Sequence, residues 1–463
     1  MRPFLQTNNK DFKKFESLYI WKQLEENRGR NLSWYLNVSL NHMPAKYLIC
    51  RSIPSKFTDL KSIDEQGLWN EFTELSGEFL DKWKSIRSGE SELIADKSNQ
   101  QKNPSLLDLN VELVKRMLTH CNFCRWNCNI DRSQEQKETE IDSRFSNTSI
   151  KKRKHGTCQL ESTSRVGSYF HHRGEELIFR GTNGSGTIFF TSCNMRCSFC
   201  QNGDISTDKE NGIPITPYNL ALMVWQLRME GCHNINWVGG DPTIHLHTIV
   251  QAISILDSFK IDWINNNTKI TDLNYIESVK SDKYFHSSFH YNPENAFYKK
   301  TLFNSPQLWN SNFFMSLETT NILRTLMDAW LPDFKFGPGK CALDLSRTPW
   351  YWETITGNLK LIYEWGEDFV IRHLIMPNHI ECCTKPVLDW IASNMPEVQV
   401  NIMDQYHPDN LCNPMSPQFK DRFKEISRSP TNEEIKNAFQ YAKELNLNFR
   451  PLSYEKISFE YMI

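Results

Sequence analysis

The chain has 463 residues, 39% of them hydrophobic, with a formal net charge of −2 at pH 7. That length predicts two or three folded units, and the near-neutral charge argues against a nucleic-acid partner. No run approaches the ~20 apolar residues of a membrane-crossing helix, and the first ten residues lack the apolar core of an export signal, so a cytoplasmic protein with no membrane partner is the expectation.

Residues 1–115 are rich in Trp, Tyr, Phe, Glu and Lys. Apolar spacing of three and four over residues 15–26 and 68–86 predicts amphipathic helices. This helical N-terminal extension carries no chemical motif.

Residues 116–165 form a Cys-rich segment, entered by a helical run at residues 113–118. The chain holds 13 cysteines, an odd number, and seven of them fall in two clusters. With no export signal, that pattern predicts metal ligands rather than disulfides. Cys121, Cys124, Cys128 and Cys158 offer four thiolates, which suit either tetrahedral zinc or an auxiliary iron–sulfur cluster. A polar insertion over residues 131–155 separates Cys128 from Cys158 and ends in Lys151, Lys152, Arg153 and Lys154. It reads as a solvated loop, and closing it costs little extra entropy.

From residue 166 to 463 short apolar strands alternate with helical connections. Strands are predicted at 187–191, 233–238, 308–314, 329–336, 368–375 and 398–404. Helices are predicted at 219–230, 248–260, 317–328, 385–393 and 433–445, with a polar insertion over 261–301. This is an α/β pattern with a parallel sheet and helices outside. Six strands predict an incomplete (β/α)6 barrel, with its chemistry at the carboxyl ends of the strands.

The first of those strands runs into Thr-Ser-Cys-Asn-Met-Arg-Cys-Ser-Phe-Cys, which holds Cys193, Cys197 and Cys200. Three thiolates within eight residues can hold three corners of an iron–sulfur cube. A purely electron-transferring cluster has four, so three leave one iron open to a small molecule. A zinc knuckle or buried structural thiols is the plainer alternative. The strand context, and Gly239-Gly240-Asp241-Pro242 at the end of the next strand, favour the cluster. Two glycines let backbone approach closely, and a carboxylate can pair with an ammonium group.

This loop resembles that of the radical S-adenosylmethionine (SAM) enzymes, in which Cys-x3-Cys-x2-Cys carries an aromatic residue, here Phe199, before the last cysteine. Gly239–Pro242 resembles their Gly-Gly-Glu-Pro segment, with Asp241 in place of Glu. The chain is also similar to the group resembling pyruvate formate-lyase activating enzyme. The matching segments are Gly186–Phe190 with Cys193–Asn202, Asn234–Asn236, Pro332–Lys335, Arg372–Pro377 and Met403–Tyr406, and the likeness covers about residues 104–455.

The resemblance implies a radical SAM enzyme, an oxidoreductase with a [4Fe–4S] cluster on Cys193, Cys197 and Cys200. Reductive cleavage of SAM would yield a deoxyadenosyl radical that abstracts hydrogen. It implies that Phe199, Gly239, Gly240, Asp241, Asn310 and Asp333 bind the cofactor and that Lys335 and Arg372 serve catalysis. Asp333 and Lys335 alternate on a strand and so face one side. A reducing donor such as ferredoxin or flavodoxin is implied, with a glycine of a glycyl radical enzyme, a protein substrate, as the target. A small-molecule or RNA target, or an unreactive zinc-stabilised interaction protein, are the alternatives. His373 and His379 read as structural or surface histidines. The other six cysteines, adjacent Cys382 and Cys383 among them, show no ligand spacing.

Overall fold

The fold is taken from a computed structural model, in which residues 32–94, 103–133, 156–181, 183–258 and 296–453 are described. The helix expected at 15–26, the basic run 151–154 and most of the two polar insertions lie outside the described residues.

Among the described residues there are ten strands: β1 (Ser164–His172), β2 (Ser185–Phe190), β3 (Ile213–Ile215), β4 (Ile235–Gly239), β5 (Phe297–Tyr298), β6 (Leu302–Phe303), β7 (Gln307–Ser311), β8 (Ala329–Pro332), β9 (Val370–Leu374) and β10 (Gln399–Met403). One sheet has the order β3-β1-β2-β4-β7-β8. β2, β4, β7 and β8 pair in parallel, and so do β9 and β10. Parallel bridges Trp330↔Phe369 and Asp333↔Arg372 join β8 to β9. The six strands expected from the sequence are therefore present, in chain order and parallel.

The sheet is nevertheless mixed, because β1 pairs antiparallel with both β2 and β3. β1 alternates between buried and half-buried residues, the pattern of a strand with one covered face. β2, buried almost throughout, is covered on both. β8 stops at Pro332, short of the expected Phe336, and proline cannot donate to a ladder.

Helices Pro217–Met229, Leu246–Ser254, Leu317–Arg324, Tyr351–Glu364 and Lys385–Asn394 connect successive parallel strands, and Asn432–Glu444 follows β10. Each keeps the strands running one way and the carboxyl ends together.

The helix Glu65–Ser88 buries Leu68, Phe72, Leu75, Phe79, Trp83 and Ile86, one apolar stripe at helical spacing. Asp64 caps its start and Gly89, at φ 80°, ends it. Its partners lie in the sheet domain. Arg87 Nη2 donates to Asp368 Oδ1 at 2.8 Å, and the buried Lys46 ammonium pairs with Glu367. Trp34 Nε1 and the backbone N–H of Lys46 and Gln307 all donate to Asp328, at 3.0, 2.9 and 2.8 Å. One continuous apolar core runs from Trp34 to Phe449.

Candidate functional site

A cavity of about 520 Å³ opens at the carboxyl ends of the parallel strands, within the size range of small-molecule sites. Cys193, Cys197 and Cys200 line it, together with Phe199, Gly239, Gly240, Asp241, Asn310, Asp333, Lys335 and Arg372. Every residue assigned to the first cysteine loop and to SAM by resemblance thus borders one space.

The cysteine loop is fixed by its backbone. Ser198 N donates to Leu345 O at 2.8 Å, Arg196 N to Ser346 O at 3.1 Å, and Leu411 N to Ser198 O at 2.9 Å. Around Cys193, Met195 N approaches Sγ at 3.3 Å and Asn312 Nδ2 at 3.6 Å. Burial pushes the Cys193 thiol well above its ordinary range, with Asp241 adding to it, and pushes Cys197 up to about 12. Ionising Cys193 and Cys197 side by side calls for a cation near them. A metal cluster fits such a donor set, since a coordinated thiol gives up its proton.

Gly239 and Gly240 owe their identity to the chain itself. A Cβ on Gly240 would lie 1.7 Å from Ser192 O, and one on Gly239, at φ 123°, 2.2 Å from Phe190 N and O. Their smallness seats the end of β4 against the cysteine loop, where Asp241 N donates to Ser192 O at 3.1 Å. Asp241 Oδ1 accepts from Thr243 N and Oδ2 from Asn312 N, each at 2.9 Å. Burial nonetheless raises its carboxyl to about 6 against those bonds.

Across the strand ends a charge network stands behind the cavity. Arg372 Nε donates to Asp333 Oδ1 at 2.9 Å and Lys335 Nζ to Asp333 Oδ2 at 2.7 Å. Arg372 Nη2 donates to Asn310 Oδ1 at 2.5 Å, and Nη1 lies 3.5 Å from Glu175 Oε1. Burial opposes all three charges. The two cations outweigh it at Asp333 and hold that carboxyl below its usual range, while Asp333 keeps Lys335 and Arg372 protonated.

Glu175, Glu176 and Asn312 have no counterpart in the sequence expectations. Asn236 Nδ2 donates to Glu175 Oε2 at 2.7 Å, and Asn401 Nδ2 donates to Glu176 Oε1 at 2.8 Å. Burial and the charge of Glu175 push Glu176 up to about 8, whereas His172, 3.6 Å away, and the charge of Arg372 hold Glu175 ionised against burial. Their only trace in the sequence is an acidic pair directly after Gly174, which fits any surface turn.

The second cysteine set also comes together. Cys121, Cys124 and Cys158 are buried and Cys128 half-buried. The Arg132 side chain is enclosed with them, its Nη1 3.6 Å from Cys121 Sγ. A buried guanidinium needs polar partners, and Arg132 Nη2 also donates to Glu161 O and Ile244 O, each at 3.0 Å. The segment reaches the first loop directly, as Trp126 Nε1 donates to Asn194 O at 2.6 Å.

His373 is buried between Phe334 O and Thr384 Oγ1, at 2.8 and 3.0 Å, as a structural histidine would be. Cys341, Cys382 and Cys383 lack ligand spacing in the sequence, yet the fold gathers them around His379, with four ligand atoms all within 4.8 Å of one another. Cys341 arrives from the preceding strand–helix connection, which spacing along one segment does not reveal.

The family model described as the radical SAM superfamily matches residues 187–304. Uncharacterized protein MJ0674 of Methanocaldococcus jannaschii is 30% identical over 423 residues, covering 90% of this chain and 98% of that protein. The chain belongs to that protein's family and carries a radical SAM superfamily domain. Membership of the superfamily implies a [4Fe–4S] cluster and SAM.

Among solved structures, SuiB of Streptococcus suis bound to precursor peptide SuiA is similar at 12% identity and TM-score 0.34, over 56% of this chain and 46% of that one. Native anSMEcpe with bound AdoMet and Cp18Cys peptide matches at 11% identity and TM-score 0.32, over 56% of this chain and 60% of that one. The match thus spans about half the length of these chains. No helix among the described residues is long and apolar enough to cross a membrane.

Proposed function

We propose that the chain is a radical SAM enzyme that holds its [4Fe–4S] cluster on Cys193, Cys197 and Cys200 and receives SAM in the adjoining cavity. We read the six parallel strands as the incomplete (β/α)6 barrel that carries them. One observation supports this above the rest. The three thiols and the Asp333–Lys335–Arg372 charge network line a single space at the strand ends. When bound, the cluster supplies the electron that cleaves SAM and so starts hydrogen abstraction.

The chain's own residues bind and orient. Lys335 and Arg372 stay cationic and suit the carboxylate of an amino-acid moiety, and Asp333 holds both in place. The Gly239–Asp241 turn fixes the cysteine loop against β4. Phe199 packs edge-on to Phe336 and beside Tyr406, which closes the back of the loop to water. The buried Arg132 among Cys121, Cys124, Cys128 and Cys158 supports a second metal centre there, of zinc or iron–sulfur.

For the target, the sequence resemblance supports a glycine of a partner protein, with ferredoxin or flavodoxin as the class of donor. Reconstitution without oxygen, with iron per chain and deoxyadenosine formed from SAM and dithionite measured together, tests the reading. Cys193→Ala should lose both. A variant that cleaves SAM like the parent overturns the assignment. Modified nucleosides, in place of an unpaired-electron signal on a partner protein, would displace the glycine target.

A further inference from the structure

We infer that Cys341, His379, Cys382 and Cys383 form a structural zinc site, separate from both cysteine clusters recognisable in the sequence. Cys341 Sγ lies 3.6 Å from Cys382 Sγ, and Cys382 Sγ lies 3.9 Å from Cys383 Sγ. His379 Nδ1 lies 3.2 Å from Cys382 Sγ and 3.9 Å from Cys383 Sγ. A tetrahedral zinc with Zn–S of ~2.3 Å and Zn–N of ~2.05 Å places its sulfurs about 3.8 Å apart and sulfur and nitrogen about 3.5 Å apart. The observed edges straddle those values. A disulfide is a different geometry, with its sulfurs ~2.05 Å apart.

The backbone is shaped to bring these ligands to one point. Cys382 and Cys383 are neighbours in sequence, and on a regular helix they would diverge by about 100°. Here Ile380–Thr384 is a π-turn, a widened turn that recurs at functional sites. Cys383 N and Thr384 N both donate to His379 O, at 3.0 and 3.1 Å. The opposite wall is brought in close, since a Cβ on Gly337 would meet Cys382 O at 2.0 Å. His379 is buried, and its other ring nitrogen faces Glu425 Oε1 at 3.7 Å, the outer carboxylate that orients many metal-bound histidines. Three thiols and one imidazole fill all four positions, as in sites that hold structure rather than perform chemistry.

Its position gives such a zinc a task. Gly337–Cys341 follows β8, which leads to Asp333 and Lys335, and His379–Cys383 follows β9, which carries Arg372. Cys341 opens the helix Cys341–Ser346, whose Leu345 and Ser346 carbonyls accept from the cysteine loop. One ion would clamp two strand-end connections behind that loop.

The test is metal content of the full-length chain purified without oxygen, for the parent, Cys382→Ser and Cys124→Ser. Cys382 is exposed, so serine there buries no new polar group. Cys382→Ser should lose one equivalent of zinc while keeping the parent's iron, and Cys124→Ser should keep that equivalent. Independently, on the parent protein, zinc should block alkylation of Cys382 and a chelator should release it. Unchanged zinc in Cys382→Ser or zinc-independent alkylation would each overturn the inference. All of these readouts are separate from SAM cleavage, so the site stands or falls apart from the proposed reaction.

Discussion

Replacing Arg372 by methionine keeps much of its length and removes the guanidinium that joins Asp333, Asn310 and Glu175. The Arg372 side chain is 16% exposed and that of Asp333 14%, so the carboxylates left behind have little water to turn to. Breaking one side of a buried ion pair costs about 3–5 kcal/mol. Lys335 remains on Asp333 at 2.7 Å, and Asn236 still donates to Glu175, which places the loss near the low end, at ~3 kcal/mol. The assay is urea unfolding of the reconstituted protein, read as a shift in midpoint at constant slope. Asp333→Asn removes one of the stranded charges, so Asp333→Asn with Arg372→Met should cost less than the two singles added, by about 1 kcal/mol or more. A single-variant loss under ~1 kcal/mol, or strict additivity, would refute the claim that Arg372 stabilises the fold through its pairing with these buried carboxylates.

Gly240→Ala puts a methyl on Ser192 O and should misplace the cysteine loop; iron loading falls while far-ultraviolet circular dichroism stays as in the parent. Asp328→Ala strands three buried N–H donors, from Trp34, Lys46 and Gln307; at about 1–3 kcal/mol each the loss of at least ~3 kcal/mol should appear in the unfolding midpoint. His171 sits between Glu230 Oε2 and Asn183 O, each at 2.8 Å, so both ring nitrogens donate and the ring is cationic. Burial works against the cation, but the charge of Cys232 and the bonds to Cys232, Glu230 and Asn183 prevail and raise the ring to about 10. The folded chain then holds a proton that the unfolded chain releases above ~6.5, so this stabilisation is complete below pH 6.5 and declines as pH rises toward 10. His171→Gln should flatten that decline in unfolding midpoints taken from pH 6 to 9; an unchanged slope would assign it to other groups.

The strands were legible because each is a short, nearly continuous apolar run, which is what burial on both faces of a parallel sheet demands. β1 was not, since a strand with one half-buried face looks like a polar linker beside a cysteine cluster. The helix Tyr351–Glu364 was hidden by its composition, three aromatics and four β-branched residues that favour strands. Local motifs exposed the cysteine loop and the Gly-Gly turn because their chemistry is packed into consecutive residues. Glu175, Asn312 and the Cys341 group escaped because each acquires a role only when strands far apart in sequence end at one place. Asn312, for instance, bonds to Asp241, Asn194 and Cys193, none of them within 70 residues of it.

That dependence explains why the cysteine loop tolerates so little. Cys193 and Cys197 disfavour ionisation on their own, so charge repulsion between them does not hold the loop open. It is held by neighbours: Ser192 by Asp241, Asn194 by Asn312 and Trp126, Arg196 and Ser198 by the helix Cys341–Ser346, Ser198 again by Leu411. Each of those neighbours belongs to a different strand-end connection or to the Cys-rich segment. A segment that merely decorated the enzyme would not supply Trp126 Nε1 as a donor to the loop's own backbone. Trp126→Phe keeps the ring and removes only that donor, so any loss of iron in that variant measures how far the Cys-rich segment supports the proposed cluster site rather than serving itself.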